Sequence, residues 1–443
     1  MIQSCFGSRL FVSVVLLSMV MLHLLLRQND GADLTGAGME ALSTNKIPDS
    51  MVELIKKSDL IVRGRVATTH SAWNADHTLI ETDNLIDVHY ALFGDAPQQL
   101  RLHTLGGVLA DEDLGMAASD AMTLAPQEEL LLFLHKQGNQ YQMVGDQTDQ
   151  SRINNGIAAL NHGAPQSVRD LVSSIASELM RQGLHTRLPT DWQSREPQTV
   201  PRSGSSVQNF VYKGYKWPDQ SPVVKYKVNI NTAQAGGTNG SVEDFRQAIV
   251  AAANTWNQVP NIDFKFQYDG ETAATTVGAK SPGFNGVNEI IFMHQGITNT
   301  AGLGIYFFRR SDNRIIEGDI WLNDDYKWDA TGSPADDELD MQSGALHEFG
   351  HLLNLGHDPD ASSIMFSSLD PGTLKRTLSS LDQAGIQFIY PCNNPACRTV
   401  EPTATSTPTP SSTAIATPEL RPSPTPTLAI GSRSKAYLPL VEK

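Results

Sequence analysis

The chain has 443 residues and a formal net charge of −15, which argues against a nucleic-acid partner, because phosphate binding needs a basic surface. Forty per cent of the residues are apolar, enough for ordinary cores, and the length allows two or three globular units at roughly 150 residues each. The acidic balance favours solubility and says little about fold.

The chain opens with an apolar run between Arg9 and Arg27, broken only by two serines and His23. It has the form of the h-region of a secretory signal, and its length approaches the ~20 residues that a membrane span needs. Residues 1–32 therefore read as a signal peptide or signal anchor, and either way as an export signal. Cys5 precedes the run.

From 40 to 182 the chain reads as an all-β domain of unassigned role. A short helix at 51–57 comes before β-rich stretches at 60–66, 79–90, 99–104, 129–134 and 141–144, separated by Asn, Asp, Gly and Pro. Five or six short strands suggest a small barrel or sandwich, OB-like in type. His70, His77, His89 and His103 are scattered there without ligand spacing and read as surface residues. A helix is predicted at 167–182. Residues 183–206 are rich in Ser, Arg, Pro and Thr, a linker composition.

A second domain is expected over 207–398. Alternation at 223–230 marks a strand. Ser241 with Asp244 three residues on predicts a helix N-terminus, followed by one apolar face of Val242, Phe245, Ile249, Ala252 and Trp256. Strands are predicted at 262–266, 289–293, 303–309 and 315–322, and helices at 340–353 and 379–389. That order describes an α/β domain with a mixed sheet and a long helix. Cys392 and Cys397 are near enough in sequence to close a small loop as a disulfide in an oxidising compartment. Residues 399–435 are Pro/Thr-rich and cannot form a packed core, so they read as an extended spacer. A short apolar tail, 436–443, ends the chain; either terminus is a candidate for membrane or cell-surface attachment.

The stretch that carries chemistry is His347-Glu348-Phe349-Gly350-His351-Leu352-Leu353-Asn354-Leu355-Gly356-His357. On a helix, His347 and His351 are one turn apart and face the same way, so both imidazoles can reach one ion at about 2.0–2.1 Å. Glu348 then sits beside the metal and is placed to take a proton from the attacking water. A third ligand needs the helix to stop and the chain to turn back. Asn354 suits a left-handed helix-terminating position, and Gly356 adds freedom just before His357. Ordinary solvated or core histidines are the plain alternative for a His-Glu-x-x-His string. The third histidine and the lack of a nearby fourth donor favour three ligands and an open position, the arrangement of a catalytic site. His294, at the end of a predicted strand, reads as a surface or hydrogen-bonded histidine.

At these residues the sequence resembles the metzincins, and within them the matrixins, whose pattern is H-E-x-x-H-x-x-G-x-x-H followed by a methionine turn. The turn here is Ser363-Ile364-Met365. The resemblance covers roughly 223–391 and includes Glu317-Gly318-Asp319-Ile320-Trp321-Leu322-Asn323. It implies an exported zinc endopeptidase acting on extracellular proteins, with Zn2+ on His347, His351 and His357, Glu348 as catalytic base and Met365 as an apolar floor under the metal. It also implies an extended peptide substrate, added as a strand alongside 315–323. Four departures stand out. Asn354 replaces the family glycine, Phe366 stands where some relatives carry a tyrosine, and the histidines for a second, structural zinc and the cysteine-switch motif are lacking. Asp312, Asn313, Asp319, Asp324 and Asp325 are candidate Ca2+ ligands, an acidic solvated surface being the alternative. A different functional class also fits the domain plan: a cell-surface adhesion or binding protein in which the β domain holds the partner. The intact Glu348 favours the enzyme.

Overall fold

The computed structural model describes residues 49–119, 121–138, 140–145, 150–159, 165–196, 210–218, 222–229, 238–275, 284–293, 300–358 and 360–392. All of these belong to one compact unit. The leader at 1–32, the Pro/Thr-rich spacer, the apolar tail, His294 and Cys397 lie outside the described residues.

The first part begins with helix α1 (Asp49–Lys57) and strands β1 (Leu60–Trp73), β2 (Ile80–Phe93) and β3 (Gln99–Leu105). Then come β4 (Gly107–Leu109), β5 (Leu114–Ala118), β6 (Glu129–Gln137), β7 (Gln140–Met143), β8 (Ser151–Asn154), β9 (Ile157–Ala159) and β10 (Gln166–Ser167). Strands β1, β2, β3, β7 and β6 follow one another around a ring, and β6 pairs back onto β1. The result is a closed five-stranded barrel. Alternation fills it: Val62, Val66, Ile86, Leu100, Leu102, Leu130, Leu132 and Leu134 form one buried cluster. The opposite faces of β1 and β6 carry Ile61, Leu131 and Phe133, which pack with Leu171, Val172, Ile175 and Leu179 of helix α2 (Val168–Arg181).

The stretch whose composition suggests a linker behaves differently in its first half. Helix α3 (Trp192–Arg195) buries Trp192 in the same cluster as α2. Arg187 N–H donates to Leu92 O at 2.8 Å. Glu196 is buried and accepts from Arg63 Nε (3.0 Å) and from Tyr90 Oη (2.9 Å). Polar composition does not betray a segment held by one tryptophan and one buried ion pair.

The second part comprises β11 (Val211–Tyr212), β12 (Val223–Val228), β13 (Thr238–Asn239), α4 (Val242–Asn257), β14 (Lys265–Glu271), β15 (Asn288–Met293), β16 (Gly302–Arg309), β17 (Arg314–Asn323), β18 (Trp328–Asp329), β19 (Leu339–Asp340), α5 (Met341–Leu352), β20 (Leu355–Gly356) and α6 (Ser380–Ile389). Its sheet runs β14-β12-β15-β17-β16 and is parallel except for β16, which returns antiparallel against β17. Helix α4 opens with a capping box in which Ser241 Oγ and the Asp244 side chain satisfy each other's backbone N–H. Phe245, Ile249, Ala252 and Trp256 are buried, whereas Val242, at the first helical position, is 47% exposed. The strand predicted at 262–266 starts later, at Lys265.

The sheet does not end at β16. Strands β5 and β4 of the barrel's own sequence continue it, in the order β17-β16-β5-β4. The two parts share a buried cluster in which Ile80, Leu109, Leu114, Met116 and Ala118 pack on Ile291, Leu303, Ile305, Phe307 and Trp321.

Candidate metal centre

Helix α5 carries the first two histidines. Asp340 caps it, accepting from Ser343 N at 2.9 Å, and is itself held by Arg376 Nε (2.8 Å) and Nη2 (2.5 Å). The helix is buried nearly all round, so tertiary contacts fix it. Phe349 packs on Tyr226 and Phe266, and Trp256 Nε1 donates to Leu346 O at 2.9 Å.

The helix stops where a left-handed residue stands. Asn354 has φ 74°, and its side-chain Oδ1 accepts from Tyr215 N at 2.7 Å. Beyond it, β20 pairs with β11, Gly356 opposite Val211 and Leu355 opposite Tyr212. Lys213 N donates to Asn354 O at 3.1 Å, and Trp217 Nε1 donates to Leu352 O at 2.8 Å. Residues 211–217 thus clamp the turn that returns His357 to the helix. A two-residue bridge carries too little alternation for this clamp to be read from sequence.

The three imidazoles meet. His347 Nε2 lies 2.9 Å from His351 Nε2 and 3.1 Å from His357 Nε2, and the three rings are buried. Two outer bonds fix the tautomers: His347 Nδ1 donates to Ile364 O at 2.7 Å, and His351 Nδ1 donates to Leu355 O at 2.8 Å. His347 and His351 then each turn an unprotonated Nε2 lone pair toward the centre of the cluster. Burial, and then the neighbouring His347 and His357, hold His351 well below the usual histidine range, which keeps it neutral. Converging lone pairs repel unless a cation lies between them. Nitrogens about 2.0–2.1 Å from a tetrahedral ion lie about 3.3–3.4 Å apart, a few tenths of an ångström wider than here. The donor set fits a zinc-sized ion.

Glu348 is buried against the start of β16: a Cβ on Gly302 would overlap its Oε1, and one on Gly304 would press on His351 Cβ. Met365 lies beneath the helix, with its Sδ where a Cβ on Gly350 would stand. Its turn hangs on a residue that motif reading passes over. Asp382 is buried and accepts from Ser363 Oγ (2.5 Å), Ile364 N (3.0 Å), Met365 N (3.3 Å) and Ser379 N (2.7 Å). One carboxylate ties α6 to the Met365 turn, and that turn to His347.

Residues 216–391 match the family model described as Matrixin. This part of the chain is matrixin-like. Over 157 residues it is 32% identical to a metalloendoproteinase 1 of Glycine max, covering 34% of this chain and 47% of that protein. It is 27% identical over 174 residues to metalloendoproteinase 2-MMP of Arabidopsis thaliana, covering 38% and 43%. It is also 38% identical over 80 residues to matrix metalloproteinase-25 of Mus musculus, covering 17% and 12%. The chain spans less than half the length of these relatives. Matrixins are zinc enzymes, and the histidine triad could hold the ion.

Other residues singled out in the sequence fall elsewhere. Strand β17 is not an edge: it lies between β15 and β16 with both sides paired. The expected strand addition along 315–323 is therefore wrong, because β16 folds back antiparallel and covers the side of β17 that β15 leaves open. The proposed calcium ligands do not converge. Asp312 and Asn313 form the β16–β17 turn, where Asp312 pairs with Arg309 and Arg314. Asp324 and Asp325 follow the other end of β17. Asp319 is buried and accepts from Glu289 N at 2.8 Å. Among the described residues, His347, His351 and His357 are the group that could hold an ion. Cys392 is disulfide-bonded. His70, His77, His89 and His103 are exposed.

Proposed function

We propose that this chain is an exported zinc-dependent endopeptidase that hydrolyses peptide bonds of extracellular proteins. His347, His351 and His357 hold the metal, and Glu348 is the general base. The observation that carries the reading is the meeting of three imidazole Nε2 atoms beside a buried carboxylate, on a chain that matches matrixin sequences throughout this region.

When bound, zinc supplies Lewis-acid polarisation of the scissile carbonyl. Glu348 takes the proton of the attacking water and returns it to the leaving amine nitrogen. Its burial excludes bulk water, and Gly302, lacking a side chain, leaves the space its carboxylate occupies. Phe366 offers no phenol, so no side-chain hydroxyl at that position assists the developing oxyanion. The peptide lies extended. Residues 207–398 form the peptidase unit, and the closed barrel, of OB-like type, belongs to the preceding unit. Export rests on the apolar leader; no described helix is long and apolar enough to cross a membrane.

The test is casein digestion by the purified full chain with and without a chelator, alongside Glu348→Gln. Cleavage should stop with chelator. The variant should lose about 10²–10⁴ in kcat while binding zinc as tightly as wild type. Cleavage surviving either treatment sinks the reading.

A further inference from the structure

Strands β4 and β5 belong in sequence to the barrel, between β3 and β6, yet they bond to the peptidase sheet. Leu114 to Ala118 pair antiparallel with Arg309 to Ile305. The ladder continues past the strand: Ser119 N donates to Gly304 O at 2.7 Å, and Gly304 N donates to Ser119 Oγ at 3.1 Å. Lys213 Nζ donates to the Ser119 carbonyl. At the other end, the Asp113 carboxylate accepts from Ser311 N (2.8 Å) and Ser311 Oγ (2.7 Å), and Asp113 O accepts from Arg310 N at 3.2 Å.

The direction matters. Strand β5 runs toward the histidines and ends opposite Gly304, which backs onto His351, two residues from the Gly302 that backs onto Glu348. A peptide that adds as a strand needs a row of unpaired N–H and C=O groups. One side of β16 is taken by β17 and the other by β5.

We propose that the β4–β5 hairpin is a built-in inhibitor, which occupies the edge of β16 in the manner of an extended peptide and holds the intact chain's activity low until it is displaced. This rests on the peptidase reading above. The barrel domain is then the carrier that presents the segment. Met116-Ala117-Ala118-Ser119 shows what the edge accepts near the metal: a small-residue stretch preceded by an apolar side chain.

The test uses the full-length, zinc-loaded chain and two variants outside the metal centre. Gly115→Val drives a side chain into the Phe308 ring, which is buried and stacked on Tyr215 at 4.0 Å, so the strand must lift. Asp113→Ala is milder and removes the two Ser311 bonds. Backbone amide exchange at 114–119 and kcat/KM on a fluorogenic peptide are read together. Wild type should show protected amides and low activity. Gly115→Val should show fast exchange and kcat/KM raised at least about tenfold, with Asp113→Ala between them. Released amides with unchanged cleavage overturn the proposal, as do unprotected amides in wild type. If the amides are released and no protein cleaves any peptide, the peptidase reading fails, and the inhibitor proposal with it.

Discussion

Replacing Asp382 by alanine should weaken metal binding from a residue that never approaches the metal. In the folded chain its carboxylate takes four bonds, three of them from the turn 363–365. That turn offers the Ile364 carbonyl to His347 Nδ1. Orphaned buried donors cost about 1–3 kcal/mol each. The Ser379 N–H, at a helix start, can turn to water, so the three donors of the turn dominate. Removing one partner of a buried charged network typically costs about 3–5 kcal/mol, and we expect a stability loss in that range. Loss of the outer bond to a ligating histidine should lower zinc affinity by about 10–100-fold. Competition against a chromophoric chelator measures the affinity, and urea unfolding measures the stability. Asp382→Asn keeps one acceptor oxygen and should fall between wild type and alanine. Unchanged zinc affinity in a folded Asp382→Ala protein would refute the chain of support from α6 to His347.

Asn354→Ala keeps a β-carbon at φ 74° but loses the polar side chain that lets asparagine enter the left-handed region, costing up to about 1–2 kcal/mol, and strips Tyr215 N of its acceptor, adding about 1–3 kcal/mol. Asn354→Gly should suffer only the second loss, and equal unfolding midpoints for the two variants would contradict this. Burial pushes the Glu317 carboxyl up to about 7, against the Asn285 and Gly286 N–H donors that hold it down. The folded state keeps a proton that the unfolded state releases near 4.5, so stability is fullest below that value and falls as pH rises through 7. The span is about 3 kcal/mol. Glu317→Gln should flatten the slope in urea titrations between those pH values, and a variant with the full slope would show that another group carries it. Chelation should lower the thermal midpoint of the wild type, because the ion binds only the folded chain, while His357→Ala should show a much smaller shift. Equal shifts would place the ion elsewhere.

The histidine cluster was legible because its spacing is local. His347 and His351 share a helix face through spacing alone, and Asn354 belongs to the few residues that enter the left-handed region without large cost. The capping box at Ser241 and Asp244 is local in the same way. What stayed hidden depends on partners far along the chain. Asp382 looks like a helix-start acid until its four donors are seen. Tyr215 and Trp217 lie in a polar stretch and bond to Asn354 and Leu352, 139 and 135 residues away.

The misread edge of the sheet has one cause. Resemblance alone assigns the stretch 315–323 to the edge. Pairing order, however, is set by where β16 folds back, and periodicity carries no information on that. Strand β5, Leu114-Gly115-Met116-Ala117-Ala118, was missed for a related reason. It is short and buried on both faces, so it lacks the alternation of a half-exposed strand. Its glycine exists for the Phe308 ring nearly two hundred residues on. A segment buried on both faces in a foreign sheet makes physical sense only together with the sheet that receives it. Under the inhibitor proposal, the one glycine and the small side chains of 114–119 record the shape of the β16 edge, and any peptide that takes their place must satisfy the same row of backbone groups.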